Sequence, residues 1–436
     1  MDLLHYARAQ MGLSLAFHIV FAAVGVGLPV LLFISDALYL RTKDPDYLEL
    51  SKRLAKGTSI LFAVGAVSGT VLSFELGLLW PNFMALFGEV IGIPFSLEGF
   101  AFFTEAIFLG IYLYGRSRIS PRLHLFSAAV VAISGAASAF FVTLVNAFMN
   151  NPRGFELRGG VLTNIDPIAA MWSPSWATQT VHVLISSYQA TAWAMVGIHA
   201  FMLLRYPSST FHRKALKVAL PVAVITALIQ PLSGDRSAKH IAEHQPWKLA
   251  AAEAHFETSR DVPLYVGGLP DPDARTVRYG IAIPYGLSFL AFGDLHSEVK
   301  GLDQVPREDW PNVRNAHFAF QTMVGAGTAM AAIAVVLIFF AVRRKQLSQW
   351  LLKLLVVAAP LGFIALEAGW LLTEFGRQPW IVRGAMRTSE AMTKVPDLAS
   401  PFWIFTLVYL LLGAVVVSIL VQQVRATAPF DSGERA

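Results

Sequence analysis

The chain has no cysteine in 436 residues. Disulfides, thiolate metal centres and iron–sulfur clusters are therefore excluded, and any metal must be held by His, Met, Glu or Asp. Charge is also scarce: 14% of residues are Asp, Glu, Lys or Arg, against 55% hydrophobic. With a mean hydropathy of +0.55, this excludes a soluble globule and indicates a polytopic membrane protein. No glycine-rich phosphate loop, nucleic-acid motif or internal repeat stands out, so no nucleic-acid partner is expected, and a transporter built from duplicated halves is disfavoured. No small-residue cleavage site follows Met1–Gly12, so a cleavable signal peptide is not expected.

What is present is a series of long apolar runs. The expected fold is all-α, with about nine transmembrane helices near Ser14–Leu40, Thr58–Leu79, Phe95–Tyr114, Phe126–Met149, Thr178–Leu204, Ala215–Leu232, Phe318–Val342, Leu351–Thr373 and Phe402–Val424. Each is long enough for a hydrocarbon core that takes about 20 residues. The short loops set the orientation. Arg41, Lys43, Lys52, Arg53 and Lys56 fill the first connection, and Arg116, Arg118 and Arg122 the third. Arg205, Arg213, Lys214 and Lys217 fill the fifth, and Arg343, Arg344, Lys345 and Lys353 the seventh. The second connection, Trp80–Pro94, has no Lys or Arg. The N-terminus is expected outside and the C-terminus in the cytoplasm; the basic eighth connection argues weakly the other way. The chain thus divides into spans 1–6 (1–232), a long outer loop (233–317), and spans 7–9 with a cytoplasmic tail (318–436). Within the loop, Trp247–Glu257 reads as a short amphipathic helix, and the apolar Tyr279–Phe292 reads as a piece that dips back into the interface.

Ionisable residues in apolar segments cost about 3 kcal/mol each at a span centre, a cost tolerated mainly at sites. Glu367 and Glu374, at i and i+7, share one face of the eighth span, and Arg377 follows. Glu98 and Glu105 repeat that spacing in the third span. His18, Glu75, Asn146, His182 and Met323 come from five further spans, yet nearly all the set falls in one outer layer. Neutral imidazole and thioether suit haem iron: a His/Met pair gives a six-coordinate, electron-transferring haem, whereas a carboxylate suits a high-spin iron open to oxygen. Blander readings stand beside this one. Glu374 and Arg377 form an interfacial ion pair, Glu75 is a plain interfacial carboxylate, Met323 taken alone is core filler, and His199 is structural.

The stretch Gly369-Trp370 followed by Glu374-Phe-Gly-Arg-Gln-Pro-Trp380 resembles the signature of subunit I of cytochrome bd-type quinol oxidases. Arg8-Ala-Gln10 leading to Phe17-His18, Ser96-Leu-Glu98 with Glu105, Asn150-Asn-Pro152, Val181-His182, Gly234-Asp235, Lys248 to Glu253, Ile283-Pro-Tyr285 and Phe318 to Met323 follow in the family's order. The loop is the family's short form, which includes cyanide-insensitive members. Many relatives carry Arg where this chain has Gln321.

The resemblance implies three haems. His182 and Met323 are the axial pair of a low-spin haem b. His18 is an axial ligand in a high-spin pair, comprising a haem b with a haem d or a further haem b, and Glu374 and Glu98 are the carboxylates at that pair. Lys248 and Glu253 match positions of quinol oxidation, and Glu105 a proton path. The implied catalytic set is Glu98, Glu105, Glu374 and Arg377. The implied activity is oxidation of ubiquinol or menaquinol on the outer side and reduction of O2 to water with cytoplasmic protons, which generates a proton motive force without pumping. A bacterial cytoplasmic (inner) membrane, a second large subunit (subunit II) and a small single-helix subunit complete the expectation. Two rival classes remain: a proton-coupled transporter using the same carboxylates, and a non-catalytic quinone-binding anchor. Haem content separates all three.

Overall fold

The computed structural model describes residues 2–345 and 347–427; the tail read as cytoplasmic, 428–436, lies outside the described residues. Proline and capping residues punctuate the first half of the chain. Helix α1 (Leu3–Thr42) opens where the Asp2 carboxylate accepts the His5 N–H (2.8 Å) and closes at Lys43, whose left-handed backbone returns its N–H to Tyr39 C=O (2.8 Å). Helices α2 (Pro45–Leu79), α3 (Pro81–Gly115) and α4 (Pro121–Asn150) each start on a proline, where the missing N–H costs no helical bond. The connections are correspondingly short, and α1 packs on α2 and α3 on α4 as neighbours.

A small hairpin, β1 (Glu156–Arg158) with β2 (Val161–Thr163), and a short helix α5 (Pro167–Met171) lead to α6 (Trp176–Arg205), which packs along α7 (Thr210–His244). Helix α7 continues about three turns beyond Leu232, so Ser233 to His244 are helical rather than loop. The long connection then holds α8 (Pro246–Glu253), where a helix was expected, and a nested double hairpin. In this hairpin β3 (Leu264–Val266) pairs with β6 (Ile281–Ile283), and inside it β4 (Leu269–Asp271) pairs with β5 (Thr276–Arg278). The apolar Tyr279–Phe292 piece is thus half strand, half helix α9 (Gly286–Phe292).

Helix α10 (Val313–Val342) follows, then α11 (Gln349–Ala358) and α12 (Leu361–Phe375). The eighth expected span is therefore two helices broken at Pro360. A last hairpin, β7 (Trp380–Val382) with β8 (Met386–Arg387), a single turn α13 (Thr388–Ala391) and α14 (Ala399–Arg425) complete the chain.

Among the described residues eight helical segments are long and apolar enough to cross a membrane, and the chain is a multi-pass membrane protein. The stretch outside that set is α6. At about 45 Å it has the length, but Gln179, His182, Ser186, Ser187, Gln189 and Thr191 make it too polar by composition. Its polar side chains are sheltered by close packing: Gly362 of α12 comes so near Ala190 that a Cβ there would lie 2.5 Å from Ala190 Cα. By contrast α14 is largely bare, with Leu407, Leu410, Leu411 and Val415 exposed, a surface that hydrocarbon solvates without cost.

One apolar cluster ties the start of α1, the end of α2, the start of α3 and the end of α4 to β7 and α13. We call this the loop end. A second cluster, built on Leu31, Leu32, Leu50, Leu54, Tyr112 and Phe211, holds the opposite end. The long connection is seated on the loop end by a third, in which Ala250–Ala252 and Phe256 pack against Val313, Ala316, Ala319 and Leu372.

Candidate functional site

Three candidate axial ligands sit over glycines. His18 of α1 leans across α2, where a Cβ on Gly69 would be 3.0 Å from its Cε1. Its Nδ1 is 3.0 Å from Ser68 Oγ, and that hydroxyl donates to Val64 C=O at 2.8 Å. Ser68 therefore accepts from Nδ1–H, which leaves the lone pair on Nε2, the arrangement a metal-binding imidazole needs. His182 of α6 is held alike at Nδ1, 3.2 Å from Ser233 Oγ on α7, with Gly234 beneath the ring, but its Nε2 lies 3.1 Å from the Gln230 amide nitrogen, a donor that a metal would displace. Met323 of α10 places its sulfur 3.1 Å from where a Gly369 Cβ would stand. Among the described residues no three His, Asp or Glu side chains converge as a zinc or di-iron centre requires; isolated axial ligands over open backbone fit haem.

Carboxylates surround this layer. Glu98 accepts from Ser138 Oγ (2.9 Å), and Glu105, buried on the same face of α3, lies against Gly135 of α4. Glu75 is more than the plain interfacial carboxylate of its blander reading. It is 5% exposed, its Oε1 accepts from Gln10 (2.5 Å) and Ser14 (2.9 Å), and Tyr409 donates onward to Ser14 (3.0 Å). Glu374 at the end of α12 is held twice: Asn146 Nδ2 donates to Oε1 at 2.9 Å, and Arg377 pairs with Oε2. The ion pair expected as the bland reading thus exists, but Arg377 is buried and its Nε and Nη1 have no acceptor. Orphaned guanidinium donors of this kind fit the carboxylate arms that a haem carries.

The quinol candidates lie on α8. Lys248 is 4% exposed; its Nζ donates to Asn150 Oδ1 at 2.8 Å and its stem crosses Gly376, where a Cβ would lie 2.7 Å from Lys248 Cγ. Burial, reinforced by Arg377, pulls its ammonium down to about 7, with Glu374 opposing. Glu253 is 1% exposed with both oxygens unpartnered, and burial pushes its carboxyl up to about 8. The two are five positions apart, about 140° around the helix, so they do not share one face of α8. At the start of α8 a cavity of about 380 Å³ opens between Trp247, Asn151, Trp380 and Arg383, with Arg383 stacked 4.2 Å over the Trp247 ring.

The structure also adds contacts that the sequence does not show. His317 and Gln321, one turn apart on α10, clamp the long connection. His317 Nδ1 lies 2.8 Å from Ala252 C=O; Gln321 accepts the Gly267 N–H (3.0 Å) and donates to Tyr265 C=O (2.9 Å). At the opposite end Asp36 is enclosed by His124 (2.9 Å) and Arg116 (3.3 Å). The i, i+4 pairing of His317 with Gln321 was legible in principle; the partners on the connection were not.

Residues 6–428 match the family described as cytochrome bd terminal oxidase subunit I. A putative cytochrome bd menaquinol oxidase subunit I of Bacillus subtilis (strain 168) is 37% identical, over 98% of this chain and 97% of the relative. The cytochrome bd ubiquinol oxidase subunit 1 of the same organism is 31% identical, over 98% and 94%. A solved bd oxidase chain from Geobacillus thermodenitrificans superposes with a TM-score of 0.92 at 42% identity, covering 98% of this chain and 99% of that one. By this match over nearly its whole length, the chain belongs to the cytochrome bd terminal oxidase subunit I family.

Proposed function

We propose that this chain is the haem-carrying subunit of a membrane quinol:oxygen oxidoreductase, in which His182 and Met323 hold a low-spin haem b. His18, with Glu374 and Glu98, serves a high-spin pair made of a haem b and either a haem d or a further haem b. The observation that carries the reading is the set of glycine-seated candidate ligands, with the His18 tautomer set by Ser68 so that Nε2 keeps its lone pair. When bound, these groups supply one-electron transfer and the reduction of O2 to water.

The protein's own residues do the rest. Glu253, close to neutral-pH titration and free of competing partners, takes a proton from a quinol hydroxyl. Lys248, about 140° around α8 from Glu253, donates to the quinol's other oxygen from a different face of the helix. His317 and Gln321 hold the loop over them and keep water out. Arg377 and Asn146 fix the Glu374 carboxylate. Glu98 and Glu105 carry protons toward the site along one face of α3.

In this reading the N-terminus and the long loop face outside, nine helices span a bacterial cytoplasmic membrane, and protons for water come from the cytoplasm, so charge separates without a pump. The substrate is ubiquinol or menaquinol with O2, and the partners are subunit II and a small single-helix subunit. The test is the dithionite-reduced minus air-oxidised visible spectrum of the purified enzyme. Low-spin b bands with a far-red chlorin band are expected if haem d is present, and low-spin with high-spin b bands if a further haem b replaces it. An intact preparation with no haem absorbance overturns the reading.

A further inference from the structure

A continuous line of hydrogen bonds joins the loop to the end of α12. Lys248 Nζ donates to Asn150 Oδ1 (2.8 Å). Asn150 Nδ2 donates to Asn146 Oδ1 (3.0 Å) and to Asn146 C=O (2.9 Å). Asn146 Nδ2 donates to Glu374 Oε1 (2.9 Å). The two asparagines are one turn apart at the end of α4, and Asn150 is 1% exposed, so water does not compete for its amide.

The direction of this line is not arbitrary. A lysine ammonium can only donate and an ionised carboxylate can only accept. The two amides between them must therefore both turn oxygen toward Lys248 and nitrogen toward Glu374. Each end holds the orientation of the whole, and aligned amides polarise one another. If Lys248 turns to another acceptor, Asn150 Oδ1 loses its donor and the amide is held through Nδ2 alone, so the line to Glu374 Oε1 loses the end that sets its direction.

We propose that Asn150 and Asn146 are positioning residues that transmit occupancy of the quinol site at Lys248 into the orientation of the Glu374 carboxylate. The inference rests on the quinol oxidase reading above and deepens it. A bound quinol ring draws the ammonium toward its oxygen, and the amide pair relays that change to the high-spin site. Arg377 keeps Glu374 in place while its second oxygen is released, so the effect is a retuning of the carboxylate and not its loss.

The experiment uses the whole enzyme in membranes and a hydroxyquinoline N-oxide, a redox-inactive mimic of the quinol ring. In the unaltered enzyme the mimic is expected to shift the high-spin absorption bands. Asn150→Leu cuts both links: the shift should vanish while haem content and the low-spin bands stay, and the quinol KM should rise about tenfold, in the range seen when partners of ligating groups are removed. Asn150→Asp keeps the acceptor for Lys248 and removes the donor to Asn146, so it should hold KM near the original value and still abolish the shift. This split is one that a merely structural role would not produce, and it provides a second reading if the leucine variant misfolds. A shift that persists in the Asn150→Asp enzyme at full haem content, or an unaltered enzyme whose high-spin bands ignore the bound mimic, overturns the proposal. A haem-free preparation overturns the oxidase reading instead.

Discussion

The two ends of the bundle treat buried charge differently. At the end away from the loop, carboxylates are closed in by hydrogen-bonding partners: Asp36 by His124 and Arg116, and Asp44 and Asp46 by Lys214 at 2.5 and 2.8 Å. Toward the loop end, Glu253 has two orphaned oxygens, Glu75 and Glu367 one each, and Arg377 two orphaned N–H groups. Among the described residues every buried carboxylate or guanidinium atom without a partner is on the loop side. An unmet buried polar group costs about 1–3 kcal/mol, more if charged. The closed end therefore contributes to stability, and the open end gives some up for groups that can meet a cofactor or substrate. Mutations should separate the two, with effects on fold at one end and on chemistry at the other.

The largest effect should come from the candidate ligands. His182→Ala is expected to remove the low-spin haem signal and abolish quinol oxidation, while its support, Ser233→Ala, should lower haem retention about 10–100-fold. Haem content per chain, measured by pyridine haemochrome, checks both. A His182→Ala enzyme with a normal low-spin spectrum would remove His182 from the site.

The next test contrasts the ends directly. Asp36→Asn leaves the half-buried Arg116 without its carboxylate and should cost about 1–3 kcal/mol, seen as a lower thermal unfolding midpoint with an unchanged quinol KM. Glu253→Gln replaces a carboxyl that has no partner, so it should leave the midpoint equal or higher and raise KM. The reverse pattern would erase the contrast.

The sequence displayed the open end better than the closed one. Spacing put Glu98 with Glu105 and Glu367 with Glu374 on shared faces, and depth along each apolar run placed His18, His182 and Met323 in one layer. A helix at Lys248 was legible from amphipathic spacing. What could not be read was anything that depends on which helices touch: the glycine seats, Ser68 beneath His18, the Asn146–Asn150 line, and the burial of Glu75. The break at Pro360 was hidden because apolar composition runs straight through it, and the hairpins because strands of two or three residues leave no periodic signal. The contacts of His124 with Asp36 are 88 residues apart in the chain, beyond any local pattern.

pH offers a finer probe of the open end. Glu253 holds its proton more tightly when folded, at about 8 against 4.5, so its contribution makes stability fall as pH rises through that window. Lys248 holds its proton less tightly, at about 7 against 10.5, so its contribution makes stability rise between those values. Each slope approaches about 1.4 kcal/mol per pH unit inside its window. Thermal unfolding followed across pH should therefore fall less steeply between pH 5 and 7 in Glu253→Gln than in the unaltered chain, and rise less between pH 8 and 10 in Lys248→Met. Unchanged slopes in both variants would mean that neither group is buried with its charge unmet.

The smallest expected effect concerns the clamp. The Gln321 amide both accepts from Gly267 N–H and donates to Tyr265 C=O. A guanidinium has no acceptor, so Gln321→Arg loses the Gly267 bond and can keep only the Tyr265 one. Gln321→Ala loses both. At about 1 kcal/mol per hydrogen bond, the alanine variant should open the β3–β6 hairpin more often, seen as faster proteolysis within 264–283, while the arginine variant falls between the two. Haem content should not move in either, because the clamp holds the cover of the site and none of its ligands. If proteolysis is unchanged in Gln321→Ala, the apolar packing of Ala250–Ala252 and Phe256 on α10 is by itself sufficient to seat the loop.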